Sequence, residues 1–195
     1  MKLKPSFYLK NTETVAQSLL GKKLVRIYKG RRLSGVITET EAYLGLADRA
    51  CHSFGGRQTV RVKSMYLDGG HAYIYFIYGM YYCFNVVTRS CDHPEAVLIR
   101  AIEPIEGILQ MKKLRHEENP KKLTNGPGKL CQALAIDRSQ DGISLQSDEI
   151  FIEDHKKISA ANQVSRPRIG ISSAQEAVEW PLRFYIKNCD FISKR

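Results

Sequence analysis

The chain has 195 residues, and its 43% hydrophobic content is enough for one domain with a core of ordinary size. No apolar run approaches the ~18 residues that a membrane-spanning helix needs, and MKLKPSFYLK has no signal-peptide pattern, so a soluble, unexported protein is expected. Thirty Lys and Arg against 20 Asp and Glu give a formal charge of +10, which favours a polyanionic partner through phosphate contacts and counterion release.

Along the chain, NTETVAQSLLG predicts a short amphipathic helix, with Asn11 or Thr12 as cap and Gly21 as stop. KLVRIYKGRRLSGVITETEAYLG reads as a hairpin turning at Lys-Gly-Arg-Arg, its second strand running from Leu33 to Tyr43. Strict alternation places Ile37, Glu39 and Glu41 on one face of that strand and Val36, Thr38 and Thr40 on the other. From Leu44 to Gly70 the chain is polar and Gly-rich without a period, a length of loop that usually signals function. YIYFIYGMYYCFN predicts a second hairpin turning near Tyr78-Gly79-Met80, and EAVLIRAIEP another strand. Pro104 is expected to open a helix over IEGILQMKKLR, and Pro127 a further one in GPGKLCQALAI. Short strands are expected around EIFIE, RPRIGIS and PLRFYIK. Strands outnumber helices and connections are short, so the fold class is α+β with an antiparallel sheet.

Five cysteines without a CxxC pair argue against a zinc ribbon or an iron–sulfur cluster and suit reduced thiols. GPGK lacks the remainder of a phosphate-binding loop. Glu39 and Glu41 lack a His or third carboxylate nearby, so a metal nuclease is a weak reading.

Glu41 and Tyr43 share a strand face, and a carboxylate beside an aromatic wall can serve as a general base. On that fragment alone, a solvated Glu on a surface strand is the simpler reading. His52, followed by glycines, is more often a loop hydrogen-bonder than a catalyst. Tyr78 at a hairpin tip suits a wedge between bases, or a contact with a partner protein. Together, a carboxylate, flanking aromatics, a wedge and net positive charge match what base flipping demands.

ETEAYLG, H-S-x-GGRQT, YxYxIYGMYYCxN, VLIRAIEP, GPGKLCQALAI and PLRFY occur in this order. Together they resemble the alkyladenine DNA glycosylase family, over about Leu19 to Lys187. The resemblance implies a single mixed domain spanning 1–195, with a curved antiparallel sheet surrounded by helices and a protruding hairpin. It implies monofunctional excision of alkylated or deaminated purines from double-stranded DNA, without metal or organic cofactor, by a monomer. By match, Glu41 would deprotonate the attacking water and Arg100 would help hold it. Tyr43 and His52 would line one side of the flipped base, Tyr75 would stack opposite, and Asn85 would crowd the exocyclic amine of guanine. Tyr78, with Met80 beside it, would enter the minor groove. Arg57, Thr59 and Lys129 match positions near the DNA face. The expected location is cytoplasmic, at the nucleoid, in a bacterium, and nuclear in a eukaryote.

Overall fold

In the computed structural model, which describes residues 1–194, a long strand organises everything else. The chain opens with α1 (Pro5–Tyr8) and α2 (Thr12–Leu19). The Asn11 side chain accepts from the backbone N–H groups of Glu13 and Thr14, while Val15, Ala16 and Leu19 form the buried stripe that fixes the helix on the sheet. β1 (Lys23–Tyr28) and β2 (Arg31–Tyr43) then form the expected hairpin. Its turn residues Lys29 and Gly30 both have positive φ, 49° and 72°, as the right-handed twist of a tight hairpin requires.

After β2 the chain runs through a loop that contains only three single 3₁₀ turns, at Gly45–Ala47, Phe54–Gly56 and Lys63–Tyr66. The tyrosine hairpin follows as β3 (Ala72–Ile77) and β4 (Tyr81–Thr88), and then β5 (Glu95–Glu106). Three helices come next, α3 (Ile108–Arg115), α4 (Pro120–Leu123) and α5 (Pro127–Ala133), and the chain ends with β6 (Ile150–Glu153), β7 (Gln163–Arg166) and β8 (Arg183–Ile186).

All strand pairs are antiparallel, in the order β3-β4-β5-β2-β1-β6. The 13-residue β2 pairs with β1 through its first half and with β8 through Glu39–Glu41, while β5 runs along its other edge; β7 pairs with β8. Changing partner midway along β2 curls the sheet, giving the mixed α+β class expected.

One face of β3–β5 packs on helices: Ile74, Phe84, Val86, Val97 and Ile99 share a core with Leu19 of α2 and Leu130 of α5. The other face carries Tyr73, Tyr75, Cys83, Val87 and Leu98, covered by Cys51, Val62 and Met65 from the long loop. These strands are therefore buried on both sides, and the second side is where a site can form.

Strict alternation fails once in β2. Ile37 pairs with Ile102, Glu39 with Ala101, and Thr40 with Ile99. An extra residue thus sits in β2 at Thr38 and a compensating one in β5 at Arg100, a pair of bulges. Ile37 lies in the helix-side core and the Thr40 hydroxyl donates to the Ala16 carbonyl of α2, so both face the helices. Ile37 does not share a face with Glu39 and Glu41.

Two further expectations are corrected. Pro104 lies within β5, which continues to Glu106; it pairs with Gly35 beside a third irregularity, and such a bulge is where a strand can hold a proline. The helix starts only after Gly107, whose φ of 75° redirects the chain. RPRIGIS is not a strand. Pro167 has no N–H, Gly170 adopts φ 79°, and the strand lies earlier, in β7. The cysteines Cys51, Cys83, Cys91 and Cys131 are free thiols, and among the described residues no helix is long and apolar enough to cross a membrane.

Candidate active site

Glu41 is the centre of the arrangement. Its side chain has 0% exposure, and a buried carboxylate must be compensated. Oε2 accepts from the Tyr43 hydroxyl at 2.9 Å and from Arg100 Nη1 at 3.1 Å, and Oε1 accepts from the Ile169 backbone N–H at 2.8 Å. Glu41 and Tyr43 meet because residues two apart on a strand share a face. Arg100 reaches them because the bulge in β5 turns its side chain to that side. Burial alone would lower the Arg100 pKa, but the charges of Glu41 and Glu39 outweigh it and raise it. The arginine is a permanent cation beside the carboxylate.

Tyr43, Arg100 and Ile169 also line a cavity of about 430 Å³, with Glu41 directly behind them. His52, Tyr75 and Asn85 line the same cavity, and Tyr78 and Tyr81 stand at the hairpin end of it. The sequence-predicted pocket residues are thus brought together. One detail differs: the ring centroids of His52 and Tyr75 are 4.6 Å apart at 82°, an edge contact with no room for a third ring between them. His52 therefore belongs with Tyr75, not opposite it.

The aromatic groups of the walls are uncharged. Burial pushes the Tyr43 and Tyr75 hydroxyls well above their usual range. Burial, aided by Arg61 and Arg57, lowers His52 from 6.5 to about 4, so its imidazole is uncharged at neutral pH. His52 Nδ1 lies 2.7 Å from the Tyr73 hydroxyl, which fixes the ring. Asn85 Nδ2 donates to the carbonyls of Tyr73 at 2.9 Å and Cys83 at 3.4 Å, so its amide is clamped by the hairpin backbone and its carbonyl end is left for the cavity.

Tyr78 is 76% exposed and Met80 61% at the hairpin tip. Tyr78 has φ 54°, and Gly79 beside it φ 66°; a tyrosine in the left-handed region is uncommon enough to point to a function. Arg57 lines the cavity, Thr59 is exposed in a shallow groove beside it, and Lys129 Nζ donates to Asn125 Oδ1 at 2.9 Å next to the lining residues Pro127 and Gly128.

Several supporting residues were invisible to motif reading. Arg168 and Asp48, both with 0% side-chain exposure, form a two-pronged ion pair at 2.5 and 2.8 Å. The Arg168 guanidinium carbon lies 4.8 Å from the Tyr43 ring centre, and Arg61 stands 5.2 Å from that of Tyr75. Glu39 pairs with Arg183 at 2.9 Å. A signal was present: an arginine inside an apolar strand, as in VLIRAI or LRFYI, must find a buried carboxylate. Among the described residues, no group of three or more His, Cys, Asp or Glu is placed to hold a metal ion.

This arrangement can be set against known proteins. The family model for methylpurine-DNA glycosylase matches residues 6–190. A protein named "Putative 3-methyladenine DNA glycosylase" from Bacillus mycoides (strain KBAB4) is 50% identical over 205 residues, covering 100% of both chains. Proteins of the same name from Bacillus cereus (strain AH820) and Bacillus anthracis (strain A0248) are each 49% identical over the same span, again covering 100% of both chains. A match over nearly the whole length, on a chain whose buried carboxylate backs an aromatic cavity, leads to one conclusion: the chain belongs to the methylpurine-DNA glycosylase family and is a DNA glycosylase.

Proposed function

We propose that the protein acts in base excision repair, flipping alkylated or deaminated purines out of duplex DNA and hydrolysing their N-glycosidic bond with a water held by Glu41 and Arg100. The substrates are 3-methyladenine, 7-methylguanine, hypoxanthine and etheno-adenine, and the product is an abasic site. The observation that carries this reading is the Glu41 carboxylate: buried, bonded by three donors, and directly behind an aromatic cavity large enough for a purine.

Each carboxylate oxygen has two acceptor positions. Oε2 uses both, on Tyr43 and Arg100, whereas Oε1 uses one, on Ile169. The remaining position on Oε1 suits a water proton. As the bond between C1′ and the base nitrogen breaks, its electron pair leaves with the base and positive charge grows on the sugar, which the carboxylate stabilises. The water oxygen bonds to C1′ and its proton passes to Glu41. Among the described residues no lysine lines the cavity, in keeping with water rather than an amine as nucleophile and with no strand nicking.

Tyr43 would face His52 and Tyr75 across the slot that takes the base, and these rings offer stacking and, to a cationic purine, cation–π attraction of about 0.5–2 kcal/mol. Asn85 would press on the exocyclic amine of guanine, so that normal guanine is refused. Tyr78, with Met80, would fill the space that the extruded nucleotide leaves. Arg57, Thr59 and Lys129 would hold phosphates. The protein would work as a monomer, in the bacterial cytoplasm.

Single-turnover release of free hypoxanthine and 3-methyladenine from duplex DNA, run with a chelator, tests this. Glu41→Gln should slow release by about 10²–10⁴-fold, the usual worth of a general base, while still binding lesion DNA. Turnover at the parent rate would remove Glu41 from this role. A parent that binds these lesions tightly but releases neither base would remove them as substrates.

A further inference from the structure

The second carboxylate of ITETE has no part in the chemistry described so far. Glu39 has 0% side-chain exposure and lies behind Arg100, away from the cavity lining. Its partners come largely from the far end of the chain. The Ser193 backbone N–H donates to Glu39 Oε2 at 2.6 Å and the Ser193 hydroxyl donates to Oε1 at 3.0 Å. Arg183 Nη1 donates to Glu39 Oε1 and to the Lys194 carbonyl, both at 2.9 Å. The Thr38 hydroxyl, at the bulge in β2, donates to the Phe191 carbonyl at 2.5 Å. Segment 191–194 is thereby strapped across the backs of β2 and β8.

Ser193 is also the hydroxyl that faces Arg100. Arg100 Nε and Nη2 donate to Ser193 Oγ at 3.3 and 3.2 Å, and Nε lies 3.4 Å from Glu39 Oε1. A serine hydroxyl has one proton to give and two lone pairs to receive with, and here all three are used. Two nitrogens of the guanidinium are therefore occupied on the far side, which orients the third, Nη1, at Glu41. Glu39 has a second effect. It shares the Arg100 charge, so Arg100 is not neutralised by Glu41 alone and holds that carboxylate less tightly.

We propose that Ser193, itself fixed by Glu39, is a positioning residue that sets the angle and charge balance of Arg100 at Glu41. The proposal rests on the reading that Glu41 and Arg100 hold the attacking water. It assigns to segment 191–194 a place in a site whose other parts come from β2, β5 and the 168–171 segment.

The test is a double-mutant cycle on the full chain: Ser193→Ala, Arg100→Gln and both together, with Ser193→Thr as the conservative variant. Three quantities are read: single-turnover release of hypoxanthine with enzyme in excess, affinity for the lesion duplex, and the unfolding temperature. Ser193→Ala should slow release about 10- to 100-fold, the scale of a misplaced catalytic group, with affinity and unfolding temperature kept. Ser193→Thr should restore most of the rate. With Arg100→Gln already present, Ser193→Ala should cost nothing more, because the serine acts through the arginine. Release by Ser193→Ala at the parent rate would overturn the proposal, and so would its full cost recurring on top of Arg100→Gln. Should Ser193→Ala not fold, Ser193→Cys, with its weaker hydrogen bonds, takes its place in the same cycle. A parent enzyme that releases no base at all would refute the underlying reading of Glu41 and Arg100 rather than the role of Ser193.

Discussion

Replacing Arg168 by Met would remove the guanidinium that joins the cavity wall to the loop before it. Arg168 makes the paired bonds to Asp48 described above, and it also donates to the carbonyls of Ala42 at 2.9 Å and Ala177 at 3.3 Å. In the variant Asp48 keeps its backbone donors, Leu44 N–H and Ala50 N–H, both at 3.0 Å. Its charge, however, loses the only cation paired with it among the described residues, in a site closed to water. Breaking a buried pair by removing one partner costs about 3–5 kcal/mol. For a domain of this size that corresponds to a fall of roughly 6–20 °C in unfolding temperature, at about 2–4 °C per kcal/mol. Asp48→Asn added to Arg168→Met removes the stranded charge and should recover a large part of the loss. Thermal unfolding followed by circular dichroism measures both. Base release should fall as well, since Ile169, next in the chain, donates to Glu41. A fall of less than about 2 °C for the single variant, or no recovery in the double, would refute the claim that this pair holds the wall.

Tyr78→Gly should raise stability by up to about 1 kcal/mol, since glycine adopts positive φ without the steric cost that tyrosine bears. The same variant should weaken lesion binding and release by about 1–3 kcal/mol, the worth of one stacked aromatic; urea unfolding and single-turnover release read the two opposite signs. Asn85→Ala should admit normal guanine, raising its release relative to hypoxanthine by about 1–3 kcal/mol, as judged by free guanine released from undamaged duplex. His52 takes its proton at about pH 4 in the fold but at 6.5 when free. Above 6.5 both states are neutral and nothing changes. As pH falls from 6.5 toward 4, the unfolded chain binds a proton that the fold refuses, so stability drops by on the order of 2–3 kcal/mol. His52→Gln should flatten that slope in urea unfolding across the same window.

The elements most legible in the sequence were those with strong local chemistry. The Asn11 cap, the Lys-Gly turn and the alternation of Tyr73 and Tyr75 with Ile74 needed no tertiary information. Glu41 and Tyr43 were visible as a pair for the same reason, being two apart on one strand. What escaped was set by distant partners. The face of Ile37 depends on two bulges that only strand pairing can create. Pro104 looks like a helix start because of its ring, yet the bulge opposite Gly35 and Ser34 tolerates it in a strand. RPRIGIS has the composition of a strand, but Arg168 and the Ile169 N–H spend their hydrogen bonds on Asp48 and Glu41. The contact between His52 and Tyr75 joins residues 23 positions apart and could not be read from either motif.

The strap formed by residues 191–194 has a consequence for how the enzyme comes into being. A chain is made from its amino end, so Glu41 and Arg100 leave the ribosome well before Ser193 does. Until that segment emerges, Glu39 lacks its two Ser193 donors and Arg100 lacks the Ser193 hydroxyl on its far side. If Ser193 positions Arg100, nascent chains, or chains clipped before it, would release bases poorly. The capacity to release bases would then follow the placing of Ser193 on Glu39 and Arg100, and with it the formation of abasic sites, which are themselves lesions.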